Sequence, residues 1–108
     1  MHSVQLAQEV ELDVPPVFYF RSYDKIIGRA GDLKELASEM RRLEFEDPAA
    51  LKYHLAQGHI VHWLRSMNEA ELAIELDGVE NISLAERMVE EFLERKSIIL
   101  RMRQGRMH

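Results

Sequence analysis

The sequence predicts an α+β fold: a small N-terminal β-hairpin or short antiparallel sheet packed on a bundle of four to five helices. Three observations carry this. The run Val17-Phe18-Tyr19-Phe20 is aromatic and β-branched, and Ile26-Ile27 follows it after the polar stretch Ser22–Lys25, the pattern of a hairpin. Downstream, apolar residues return at helical spacing. Helix-start signals also recur: Asp32-x-x-Glu35, Asp47-Pro48, Asn68-x-x-Glu71 and Ser83-x-x-Glu86.

The elements follow in order. Residues 1–16 form an N-terminal arm or edge strand, because Val4, Leu6, Val10, Leu12 and Val14 alternate with mostly polar neighbours before Pro15-Pro16. Residues 17–108 form a single helix-rich domain ending in a long helix. In the hairpin, Gly28 and Gly31 end the returning strand. Gly28-x-x-Gly31 is too short for a dinucleotide fingerprint and is a turn signal. A lone hairpin is marginal in water, so its apolar face must lie on helices or find a third strand. Asp32 then caps a helix whose stripe is Leu33, Leu36, Ala37, Met40 and Leu43.

Leu51 to Met67 is helix, broken or bent at Gly58, with His59 opening the next segment. Leu51, Leu55, Val61 or His62, and Leu64 form its stripe, widened by Tyr53, Ile60, Trp63 and Met67. The indole N–H of Trp63 needs a partner in the core. A further helix spans Glu69 to about Leu76, with Leu72, Ala73 and Leu76 inward and Asp77-Gly78 as its end. Ser83 caps the longest helix, which reaches about Arg103. Its buried side is Ala85, Met88, Val89, Phe92, Leu93, Ile99 and Leu100, with the stem of Lys96 laid along it. Acidic residues come early in this helix and basic ones late, as the helix dipole favours, and Glu91–Arg95 has the spacing of an ion pair.

The chain has 108 residues, enough for one domain with a core. It has no cysteine, which excludes disulfides and thiol catalysis. No apolar run is long enough to span a bilayer, and no secretory signal opens the sequence, so no membrane partner and a cytoplasmic location are expected. The net charge of −5 argues against a general nucleic-acid binder. The basic end of the chain, Arg95, Lys96, Arg101, Arg103 and Arg106, leaves only a local positive patch, expected to be a solvated tail.

Catalytic constellations are missing. Glu71 and Glu75 share a helix face, but a solvated face predicts the same residues. Ser38, Ser66 and Ser83 lack a nucleophile elbow. No phosphate-binding glycine loop is present, and Tyr19, Phe20 and Tyr23 lack the basic neighbours of a base-stacking surface. His54, His59 and His62 are the candidate metal ligands, since three imidazoles could converge on zinc if the corner at Gly58 folded that way. Against this, cysteine is absent and no H-E-x-x-H pattern occurs. Tyr53, His54 and His59 form a candidate polar site. No cofactor is expected.

Ile98, Ile99, Leu100 and Met102 make the end of the last helix apolar on more than one side. Either it packs on the rest of the domain or it is covered by another copy or another protein. Phe92, Ile98, Ile99 and Met102 are therefore the candidate interface. The leading expectation is a noncatalytic interaction or regulatory module, acting through a homo-oligomer or a protein partner. The alternative is a small metal- or ligand-binding, enzyme-like domain using His54, His59 and His62.

Val17-Phe18-Tyr19-Phe20, Asp32-Leu33-Lys34-Glu35-Leu36-Ala37, Tyr53-His54-Leu55, His59-Ile60-Val61-His62-Trp63-Leu64 and Glu71-Leu72-Ala73 together resemble domain of unknown function 5752, a small domain of archaeal and bacterial proteins. The resemblance covers roughly Val17 to Leu76. It implies a small α+β unit that stands alone or beside signalling or other domains, with no established activity. It draws attention to His54, His59 and Trp63. Where many members of that family place Asn-Asp-Phe before the tryptophan, this chain has Gly58-His59-Ile60, which puts in question any polar role carried by that pair. The usual glycine-bearing hairpin turn is here Ser22-Tyr23-Asp24.

Overall fold

A computed structural model describes residues 16–106; the N-terminal strand expected over residues 4–14 lies outside them. The fold is α+β. Strands β1 (Phe18–Ser22) and β2 (Lys25–Ala30) form an antiparallel hairpin. Five helices follow: α1 (Leu33–Glu46), α2 (Pro48–Ala56), α3 (His59–Ser66), α4 (Ala70–Leu76) and α5 (Ile82–Arg106). The hairpin rests on α1 and α2, α5 crosses α1, and α4 sits between α3 and α5.

Period-two alternation aims Phe18 and Phe20 inward, while Tyr19 and Arg21 face out. The two phenyl rings meet edge to face at 4.8 Å. They join the core with Leu36, Met40, Leu43, Leu51, Ile60, Trp63, Leu64, Leu72 and Val89. Trp63 is buried as expected, and its indole N–H donates to the carbonyl of Pro16 at 3.0 Å.

Contrary to expectation, β2 does not end at Gly28. It runs on to Ala30, and a bulge places Ile27 out of register between the pairs Phe20–Gly28 and Arg21–Ile26. Arg42 of α1 donates from Nη2 to the Ile27 carbonyl at 2.6 Å and holds Glu39 at 2.7 Å and Glu46 at 2.8 Å. These carboxylates hold its guanidinium above the usual arginine range, against a partial burial that acts the other way. A Cβ on Gly28 would collide with the Glu39 carboxylate and crowd Arg42. Gly28 thus serves the close approach of the Glu39 and Arg42 side-chain ends, which a Cβ would displace, rather than a turn. Gly28→Ala is expected to lower stability by about 1 kcal/mol. Urea melts should show most of that loss vanishing in a Glu39→Ala background, where the colliding side chain is gone.

The helix starts match the sequence unevenly. Asp32 Oδ1 accepts from the amide of Glu35 at 2.8 Å, and Asp47 Oδ1 accepts from that of Ala50 at 3.1 Å. Glu35 closes its box one residue early, accepting from the amide of Gly31 at 2.6 Å. Gly58 turns from α2 into α3 at φ 75°, a left-handed value that glycine adopts freely. Asn68 is not a cap. It sits at φ 62° in the turn that follows α3, and Glu69 precedes α4 without a side-chain cap bond. Asn81, rather than Ser83, caps α5, accepting at Oδ1 from the amide of Leu84 at 2.9 Å. This leaves Ser83 free to donate to Glu44 at 3.3 Å.

On α5, Ala85, Val89 and Phe92 are buried, and Met88 and Leu93 half-buried, as the stripe predicts. Ile99 and Leu100 are not buried, because the domain ends before the helix does. Phe92, expected at an interface, is a core residue of its own chain. The Glu91–Arg95 pair does not form. Arg95 instead reaches Glu75 of α4 at 3.1 Å, and Lys96 reaches Glu69 at 2.8 Å, both lying over the Phe92 ring.

Candidate functional site

Three elements converge beside the hairpin turn. The end of β1 contributes Arg21, Ser22 and Tyr23; the first two turns of α2 contribute Asp47, Ala50, Tyr53 and His54; and His59 opens α3. Together they line a cleft of about 650 Å³. Tyr53, placed by periodicity on the apolar surface, is instead 55 % exposed at the rim of this cleft. Tyr23 stands fully exposed at φ 59°, a left-handed conformation that disfavours a bulky side chain.

The floor is a pair of imidazoles. His54 is buried, with the edges of Phe18 and Phe20 against it at 5.4 and 5.8 Å. Its Nδ1 faces Nδ1 of exposed His59 at 3.0 Å. Its Nε2 lies 2.9 Å from the amide nitrogen of Arg21 and 3.1 Å from its carbonyl oxygen. Two tautomer patterns satisfy these contacts. In one, Arg21 N–H donates to His54 Nε2, and His54 Nδ1–H donates to His59. In the other, His59 Nδ1–H donates to His54, and His54 Nε2–H donates to the Arg21 carbonyl. Burial pushes the His54 imidazole below its ordinary range, aided by the charges of His59 and Arg21 and opposed by the Arg21 backbone hydrogen bond.

His54 thus has both ring nitrogens engaged, and His59 presents the accessible imidazole of the pair. Tyr53 stacks its edge near both rings, at 5.8 and 5.6 Å. The expected polar trio of Tyr53, His54 and His59 is brought together. The expected three-imidazole cluster is not: exposed His62 shares a second depression with His59, Pro16, Phe18, Gly58 and Trp63, and His54 does not line it. Among the described residues, no group of three histidine, aspartate or glutamate side chains is gathered as a metal ion requires.

The end of α5 is a second candidate surface. Every residue from Glu94 to Arg103 is exposed, with Ile98 at 41 %, Ile99 at 50 %, Leu100 at 56 % and Met102 at 60 %. Leu100 and Leu93 also border a groove of about 820 Å³ against Leu33 and Ala37 of α1. No helix among the described residues is long and apolar enough to cross a membrane.

Sequence reasoning did not find the carboxylates where α1 meets α5. Glu86 turns toward Glu44, and its Oε2 is buried without a hydrogen-bond partner. Desolvation, then Glu44 and Glu90, push the Glu86 carboxyl up to about 7, while Arg41 opposes the shift. Arg41 itself pairs with Glu90. No spacing rule joins residue 44 to residue 86; only the crossing of the two helices does.

No family model, no curated protein and no solved structure matches this chain.

Proposed function

We propose that this chain is a cytoplasmic, noncatalytic interaction or regulatory module that docks the exposed end of α5 on a protein surface, in a homo-oligomer or with another protein. The observation that supports this reading is that α5 continues for several turns past the core with Ile98, Ile99, Leu100 and Met102 in solvent. Four large apolar side chains exposed between Ile98 and Met102 on one helix favour an interaction surface, whereas singly scattered ones need no explanation. The groove beside Leu33 and Ala37 extends the patch toward α1. The test is an Ile98→Asp, Met102→Asp double variant, which leaves the core untouched. Sedimentation of the purified chain, and reconstitution with any identified partner, should show complexes that the variant does not form. Identical behaviour of the two proteins would overturn the reading.

A second reading, a ligand-binding or enzyme-like domain, rests on the cleft that gathers Tyr53, His54 and His59. Its metal form would need His62 to join the pair; His62 shares a depression with His59 but not with His54. In that form, replacing His59 and His62 together should abolish a zinc-induced rise in Tm. A Tm indifferent to zinc in the unaltered chain would remove it.

A further inference from the structure

We infer that the partner of the α5 end is a second copy of the same helix, lying antiparallel across a two-fold axis beside Ile98. The inference rests on the docking reading and adds the identity and register of the partner.

The argument begins with which charges are already used. Glu90 pairs with Arg41, Arg95 with Glu75, and Lys96 with Glu69. Among the described residues of α5, exposed Arg87, Glu91, Glu94, Arg101 and Arg103 enter no ion pair, and of these Glu94 and Arg101 flank Ile98. They stand seven residues apart on α5, which is about two helical turns and the same side of the helix. Ile98 lies between them and Met102 follows on the adjoining flank, all turned away from the side on which Val89 packs into the core. Ser97, next to Ile98, is small.

An antiparallel pair centred beside Ile98 brings Glu94 against the partner's Arg101, and Arg101 against the partner's Glu94. Both contacts arise from one operation, because a two-fold interface is self-complementary. A parallel pair would set Glu94 against the partner's Glu94 and Arg101 against the partner's Arg101. The antiparallel order also sets the acidic part of each helix beside the basic part of the other. Ile98 and Met102 then form the apolar seam, and the body of each domain stays on the far side of its own helix.

Charge exchange tests this directly. Glu94→Arg and Arg101→Glu should each weaken self-association by at least about tenfold, measured by sedimentation equilibrium up to about 1 mM chain. Mixing the two single variants should restore a dimer, since each then offers the other two opposite charges. The double variant carrying both changes should dimerise with itself. All these positions are exposed, and circular dichroism checks that the fold is retained. A monomeric wild-type chain at about 1 mM overturns the self-pair, and the docking reading then requires a different protein. A dimer abolished by Ile98→Asp with Met102→Asp but indifferent to both charge reversals overturns the antiparallel register and leaves the docking reading standing. A dimer indifferent to all of these substitutions overturns both.

Discussion

Replacing His54 with alanine is expected to lower the free energy of unfolding by about 2–4 kcal/mol. Two losses combine. The cavity left against Phe18 and Phe20 removes packing from the inner face of the hairpin. The main-chain group of Arg21 that bonded Nε2 also loses its partner, and a buried polar group without one is expensive. His54→Phe separates the two, because it refills the volume and restores no hydrogen bond. It should recover part of the loss and no more. The same residue sets an acid limb. Burial depresses the imidazole in the folded chain, so the unfolded chain binds more protons below its own value of roughly 6.5. Stability is then complete above that pH and declines as pH falls toward the folded value. The groups that face this ring are His59, Arg21, Asp47 and Tyr53, which line the same cleft. Urea melts between pH 5 and 8 should show the decline in the wild-type chain and a shallower one in His54→Phe. Parallel curves would overturn the assignment.

Glu86→Gln should do the opposite and stabilise the chain by about 2 kcal/mol at pH 8. The carboxyl is raised to about 7, first by desolvation and then by Glu44 and Glu90. Between the ordinary glutamate value and about 7 the folded chain therefore holds the extra proton. Stability falls as pH rises through that window and stays lower above it. Glutamine is neutral throughout and nearly isosteric with the protonated acid. The gain from the substitution should be small near pH 4.5 and grow to its full size above pH 7, read from chemical melts at fixed salt. A gain that does not change with pH would mean that packing rather than charge is responsible. In the wild-type chain this slope and that of His54 oppose each other in mildly acidic solution, so each variant exposes the limb of the other.

What the sequence made legible was local. Asp32 and Asp47 announce their helices because a short side chain reaches an amide three residues on. Gly58 announces the corner because only its backbone is relaxed there. The five-residue step from His54 to His59 gives no periodic signal, yet the corner folds their Nδ1 atoms together. The pairing of Arg42 with Ile27 and the approach of Glu86 to Glu44 depend on how the hairpin and α5 lie across α1, which no window of residues encodes. Asn68 and Ser83 fit the capping pattern and do not cap, because Asn81 provides the competing start for α5 and Asn68 is taken up in a left-handed turn. The last turns of α5 misled in another way: periodicity marks an apolar side and is silent on where the body of the domain stops.

A two-stranded ribbon has two open margins, and each offers backbone groups that could recruit a foreign strand. Here each margin is stopped by one helix-borne side chain: His54 at Arg21 on β1, and Arg42 at Ile27 on β2. Among the described residues the ribbon is thereby blocked at both sides by side chains rather than by a further strand. Losing either stopper should raise the tendency of the chain to aggregate through strand addition, over and above any loss of folding free energy.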